Sequence, residues 1–547
     1  MTKIWETDNP PSQKWPLYTR GNVGEVFPEV VLPLTWSLLG QAVDDAWRRA
    51  FVKMGLVADG DFPDDEDMIL VGVFGGYCYL NASYIRLLGV RAPGGDVETI
   101  DQQFFGESDA PAYEPREGDT NRGATLRLGK TVLRLLGAKS VPGLEEDRTR
   151  VARFVSRYPG DDASDEALIE FMRSFEPFFE TLFFRHIDNT FSNALLVGAL
   201  SDLVVKAGKP ELLVAVLGGL GDVDSAEPSS AMWRLSRLDR ESDEYRAGFE
   251  RFLADFGTRG PNEWDMGSDP WEFRPHVAEA AIDAMRAAPE RHSPGEQALR
   301  LVDERAAAIE AVRSGLNPID RWQFGKALAA TMLYSRARER SKTTVIKAIH
   351  AVRRAQRELG RRAAERGGVD IAGGDRWKSC LLNFDDFVRY VAEPAPFLDV
   401  IAERAELHTR LSSVEPPFIV NGVVPPLDEW SAADDVVTLE SGATVQGIPG
   451  CPGTARGRAR VVLDPGDPRG LGPGDVLVAP ITDPSWTPLF LAAEAVVVDV
   501  GATMSHAVIV SRELGIPCVV SAVGATKAIP DGAEIEVDGN IGEVRLL

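Results

Sequence analysis

The chain reads Gly501-Ala502-Thr503-Met504-Ser505-His506 and continues Ala507-Val508-Ile509-Val510-Ser511-Arg512-Glu513-Leu514-Gly515, which places a histidine one residue inside the start of an apolar helical run. Ser505 is a helix-capping residue type. The free backbone amides of the first turn and the positive end of the helix dipole favour an anion there. An imidazole at this point is suited to carry a phosphoryl group. A second polar set, Arg338-Glu339-Arg340-Ser341-Lys342, lies inside a long helical pattern. Arg338 and Lys342 are four apart and share a face with Val345, Ile346, Ile349 and Val352, so two cations line up with an apolar stripe. That arrangement reads in two ways: basic side chains snorkelling from a core edge, or a clamp for the equatorial oxygens of a phosphoryl group.

The elements that must hold these residues follow from periodicity. Ala495-Val496-Val497-Val498-Asp499-Val500 reads as an apolar strand running through a glycine-containing turn into the His506 helix, the way an α/β fold presents a reactive side chain. Upstream, residues 163–206, 240–256, 275–314 and 319–366 carry apolar positions at helical spacing. Met68 to Tyr79 reads as an embedded hairpin, and Gly106 to Arg122 and the acidic stretch Asp161 to Asp165 read as surface loops. Between 411 and 445, Pro416-Pro417, Pro425-Pro426 and Asp434-Asp435 give the composition of a semi-rigid linker. The expected organisation is multidomain: a large, mainly α-helical domain over 1–410, the linker, and a small α/β domain over 446–547.

Composition narrows the function classes. At 547 residues with 44% hydrophobic content the chain has room for several cored domains. A net charge of -24 argues against a general nucleic-acid or anionic-membrane surface, so any phosphate site must be locally basic. Cys78, Cys380, Cys451 and Cys518 are scattered, without the spacing of a zinc site or a disulfide framework. No leader-like or membrane-length apolar run is present, and a cytoplasmic protein with no membrane partner is the expectation.

Several blocks occur in a telling order: Gly447-Ile448-Pro449-Gly450-Cys451-Pro452-Gly453, Leu471-Gly472-Pro473-Gly474-Asp475, Thr482-Asp483-Pro484-Ser485-Trp486-Thr487-Pro488-Leu489, the His506 helix, Asp531-Gly532-Ala533 and Val537-Asp538-Gly539. In that order they resemble the phosphohistidine swivelling domain of the phosphoenolpyruvate-utilising enzymes. The resemblance implies that His506 is phosphorylated and that Thr482 lies near it; a hydroxyl closing the turn before Pro484 is the equal alternative for Thr482. Asn22-Val23-Gly24-Glu25-Val26-Phe27-Pro28, Pro33-Leu34-Thr35-Trp36-Ser37, Phe74-Gly75-Gly76-Tyr77-Cys78-Tyr79-Leu80-Asn81 and Gly257-Thr258-Arg259-Gly260-Pro261-Asn262-Glu263 are similar to the substrate-binding domain of rifampicin phosphotransferases. This likeness implies catalytic roles for Arg338, Glu339 and Lys342, with Glu339 drawing the proton from an acceptor hydroxyl. It departs at Thr258, where family members often carry histidine. Arg259 and Glu263 are therefore candidates either for substrate binding or for a buried structural ion pair.

A phosphate donor site is not legible. There is no GxxxxGK[ST] loop, and Gly218-Gly219-Leu220-Gly221 is too common a cluster to mark nucleotide binding. In related single-chain enzymes an ATP-grasp domain precedes the helical one. The expectation is a separate ATP-grasp subunit that uses ATP and Mg, no cofactor or metal in this chain, and a small-molecule hydroxyl acceptor. Two other functions fit the same residues: phosphoenolpyruvate-dependent transfer with a separate barrel subunit, and a phosphocarrier or regulatory module without acceptor chemistry.

Overall fold

The longest element is the 48-residue helix Pro318–Glu365. Asn317 starts it by accepting from the amides of Ile319 and Asp320, and Pro318 occupies the first turn, where no donor is required. Val345, Ile346, Ile349 and Val352 are buried in the main core, which this helix forms with Glu176–Lys206 and Pro33–Met54. The computed structural model describes residues 3–547 except 61, 63–67, 93–94, 106–109, 219–226, 287–289, 291–292, 371, 432–440, 484–485 and 502–504. Most of the glycine cluster at 218–221 and the Asp434-Asp435 run thus lie outside the described residues.

Two of the expected helices divide where proline begins a new one. The pattern over 163–206 forms Asp165–Arg173 and Glu176–Lys206, with Pro177 in the first turn of the second. The pattern over 275–314 forms Pro275–Arg286 and Pro294–Gly315.

Four short strands cap the helical body: β1 (Leu17–Thr19), β2 (Val71–Phe74), β3 (Tyr77–Asn81) and β4 (Ile419–Asn421), in the order β2-β3-β1-β4. The β2–β3 hairpin turns through Gly75 and Gly76, both at positive φ. β4 falls within the stretch expected to be a semi-rigid linker, and the helix Leu398–Ser412 runs past its expected start. Ile419 and Val420 pair with β1, and Trp430 packs against Gly75 so closely that a Cβ there would lie 2.7 Å from its ring. The proline-rich composition hides these apolar anchors, which fold the first half of 411–445 onto the body.

The C-terminal domain is an eight-stranded sheet. Its strands are β5 (Thr444–Gln446), β6 (Ile448–Cys451), β7 (Thr454–Val461), β8 (Asp475–Ala479), β9 (Ala495–Val498), β10 (Cys518–Val520), β11 (Glu534–Asp538) and β12 (Glu543–Leu546), ordered β5-β12-β11-β7-β8-β9-β10-β6. The central four, β7 to β10, are parallel, and the His506 helix is the crossover between β9 and β10. Continuous apolar runs in β8 and β9 reflect burial on both faces. Leu477, Ala479, Val496 and Val498 face one core, and Val476, Val478, Ala495 and Val497 face another.

The first of those cores extends beyond the domain. Trp486, Leu489 and Phe490 share it with Trp233, Phe252 and Ile282 from the helices Glu227–Ser236, Asp243–Phe256 and Pro275–Arg286, so this helical lobe is where the C-terminal domain rests on the body. The connection between the second and third lobe helices is tied to the long helix by Arg353. This fully buried guanidinium donates to the carbonyls of Glu263 (2.7 Å) and Asp265 (2.8 Å) and to His350 Nδ1 (3.2 Å). With Nδ1 accepting, His350 keeps its proton on Nε2 and donates it to Glu272 at 2.7 Å. Arg353→Met leaves these carbonyls without their donor. It is expected to lower stability by about 3–5 kcal/mol in urea unfolding; a loss below about 0.5 kcal/mol would show that the tie is dispensable.

Candidate active site

The His506 helix spans His506–Leu514, begins at an extended Ser505 whose side chain accepts from Val508 N at 3.3 Å, and ends at Gly515 in the left-handed conformation. The imidazole is held at both nitrogens, with Thr482 Oγ1 3.3 Å from Nδ1 and Thr487 Oγ1 3.2 Å from Nε2. The Phe490 ring stands edge-on to it, 6.0 Å away between centroids. Burial presses its pKa well below the ordinary value, and the charges of Lys342, Arg259 and Arg338 press it further. The ring is therefore neutral, with one N–H and one lone pair, so one threonine hydroxyl accepts while the other donates.

Across the domain boundary, His506 opens into a cavity of about 110 Å³ that Thr482, Arg338, Glu339 and Lys342 also line. Five of the residues singled out in the sequence thus meet at one place, from elements far apart in the chain. Arg338 Nη1 lies 3.5 Å from Glu339 Oε1. Lys342 Nζ lies 3.4 Å from Glu263 Oε1, and Arg259 Nε lies 2.9 Å from Glu263 Oε2, as charge contacts. Arg259 and Glu263 are buried and do not line the cavity; they form the ion pair that was the alternative to substrate binding, and Glu263 reaches the cavity through Lys342. Phe27, Trp47, Phe183 and Trp264 also line the cavity.

Three further residues stand at the site without any sign in composition or spacing. His186, within the helix Glu176–Lys206, places Nδ1 3.0 Å from Ser341 Oγ, and Ser341 donates to the Arg338 carbonyl at 2.9 Å. With the serine proton so used, His186 Nδ1 is the donor. Thr487 and Glu25 each lie within a motif that marked the family likeness, yet periodicity does not show that one meets the ring and the other approaches the His506 backbone N at 3.4 Å. Asn262 bridges the domains by donating its backbone N–H to Asp483 Oδ2 at 3.0 Å.

The capped histidine and the Arg338 that shares its cavity lie in stretches that match known family models. Residues 471–542 match the PEP-utilising enzyme, mobile domain. The C-terminal α/β domain is similar to that mobile domain over this stretch. Residues 185–341 match the rifampicin phosphotransferase fourth domain, a stretch that includes His186, Arg259, Glu263, Arg338 and Glu339. A rifampicin phosphotransferase from a Streptomyces species is 32% identical over 315 residues, covering 56% of this chain and 35% of that protein. An uncharacterised Mycobacterium tuberculosis protein is 32% identical over 360 residues, covering 65% and 36%, and a prodigiosin-synthesising transferase of Serratia marcescens is 30% identical over 314 residues, covering 55% and 33%. The chain spans about a third of the length of these curated relatives. Among the described residues no helix is long and apolar enough to cross a membrane, and none of the His, Cys, Asp and Glu side chains cluster to hold a metal ion.

The buried histidines give the body and its mobile domain a testable acid response. His186 is pushed down to about 3 by burial and then by the Arg338 and Lys342 charges. Because the folded value lies below the unfolded one, its contribution to stability is complete above about pH 6.5 and is lost as pH falls toward 3. His186→Gln is expected to flatten stability against pH by about 1.4 kcal/mol per unit between roughly pH 6 and 4. Urea unfolding across that range measures it, and an unaltered slope would refute a neutral, buried His186.

Proposed function

We propose that the protein is a phosphotransferase component in which His506 carries a phosphoryl group and passes it to the hydroxyl of a small organic acceptor. One observation carries this most strongly: the neutral His506 at a capped helix start shares a cavity with Arg338, Glu339 and Lys342 from the other domain. The cations hold the equatorial oxygens. As the acceptor oxygen attacks, the P–N bond breaks, its electron pair returns to the imidazole, the P–O bond forms, and the hydroxyl proton passes to Glu339. Similarity to rifampicin phosphotransferases supports the same chemistry.

The acceptor carries an apolar body, because Phe27, Trp47, Phe183 and Trp264 line the cavity along with the charged groups. Its hydroxyl points toward His506. The donor is a separate ATP-grasp subunit using ATP and Mg, with AMP and inorganic phosphate as the other products. Charging His506 requires the mobile domain to leave the helical lobe and return.

The test is a donor comparison on the full chain. Acid-labile label on His506 from β-labelled ATP with an ATP-grasp partner is the expected result, and label from phosphoenolpyruvate alone would overturn it. His506→Ala should abolish both labelling and transfer. Arg338→Ala and Lys342→Ala should slow transfer to the acceptor roughly 100-fold more than they slow labelling. Equal effects on the two half-reactions would remove the cations from the transfer step.

A further inference from the structure

Glu25 belongs to the short helix Val23–Val26 of the body, entered through Asn22 at positive φ. Its Oε2 approaches the backbone N–H of His506 at 3.4 Å, so a carboxylate of one domain faces the first amide of the nine-residue histidine helix in the other. Glu25 also lines the cavity shared by Arg338, Lys342 and His506. A carboxylate oxygen and a phosphoryl oxygen seek the same donors: helix-terminal amides and fixed cations. Glu263 contacts Lys342 and Arg259 and is absent from the cavity lining, whereas Glu25 lines the cavity.

The geometry points to Glu25 as a placeholder for the phosphoryl group, filling part of the anion site while His506 is unphosphorylated and yielding it to the phosphoryl group when the charged domain docks. This inference rests on the phosphotransfer proposed above and deepens it. The placeholder ties the empty mobile domain to the body and keeps free tetrahedral oxyanions from settling among Arg338, Lys342 and the helix start. Phosphoryl covalently held on His506 outcompetes the carboxylate; inorganic phosphate from solution must displace it without that advantage.

Inorganic phosphate is the probe, titrated against the full-length protein by calorimetry and by protection of His506 from diethyl pyrocarbonate, read by peptide mass. Glu25→Gln, nearly isosteric, is expected to tighten phosphate binding roughly tenfold, and Glu25→Asp, which keeps the charge, to stay near wild type. A gain of affinity is a result that mere structural damage does not produce. Should Glu25→Gln melt early, Glu25→Ala carries the same expectation. Unchanged or weaker phosphate binding in the neutral variants overturns the placeholder. The two proposals fail separately: a labelled His506 with unaltered phosphate affinity defeats the placeholder alone, whereas tightened phosphate binding without any phosphohistidine defeats the transfer reading alone.

Discussion

A buried imidazole beside cations stays neutral, and at His506 burial together with Lys342, Arg259 and Arg338 keeps one ring nitrogen unprotonated, its lone pair met by a threonine hydroxyl. Those cations are kept in place by further contacts. Glu263 touches both Lys342 and Arg259, the loop that bears Glu263 hangs from Arg353, and Arg353 is seated in the core face of the long helix that also carries Arg338 and Lys342. The His506 cavity is thus one end of a buried electrostatic chain. Removing a link leaves its partner's charge without compensation in low dielectric, a larger loss than that of any exposed ion pair.

The net charge of -24 makes this local order necessary. An anion approaching the molecule meets net repulsion, which only fixed local cations such as Arg338 and Lys342, held away from bulk water, can offset. Docking of the mobile domain supplies the shield. The sheet face that holds Leu477, Val496 and Val498 supports the histidine helix, and the same core continues into Trp486 and Phe490 and then into the helical lobe. Apolar packing brings the domains together, and the polar contacts of Asn262 with Asp483 and of Glu25 with His506 set their register.

Matches to the mobile domain and to the rifampicin phosphotransferase fourth domain fall on the two sides of this interface. The first contributes His506 with Thr482 and Thr487, which travel as one unit because all three belong to the same domain. The second contributes Arg259, Glu263, Arg338 and Glu339, while Lys342 and Glu25 lie outside it. Phe27, Trp47, Phe183 and Trp264 of the body line the cavity together with Ile509 of the histidine helix, so both domains contribute apolar surface to it.

Linear order and periodicity were sufficient for much of this. The capped histidine helix, the β9-to-helix turn, the shared face of Arg338 and Lys342 and the two-domain plan are local patterns, and local patterns survive in a sequence because each rests on a few neighbouring residues. Helix division at Pro177 and Pro294, and the folding of Ile419 and Trp430 onto the body, were obscured by composition that also suits longer helices and a semi-rigid linker. Residue types and their spacing alone were enough to mark the capped histidine and the paired cations, and the helices on which they stand. Only tertiary structure decided that Glu25, His186 and Thr487 join them, and that Arg259 and Glu263 support the site rather than line it. Contacts across hundreds of residues depend on how domains pack, and no local spacing encodes that.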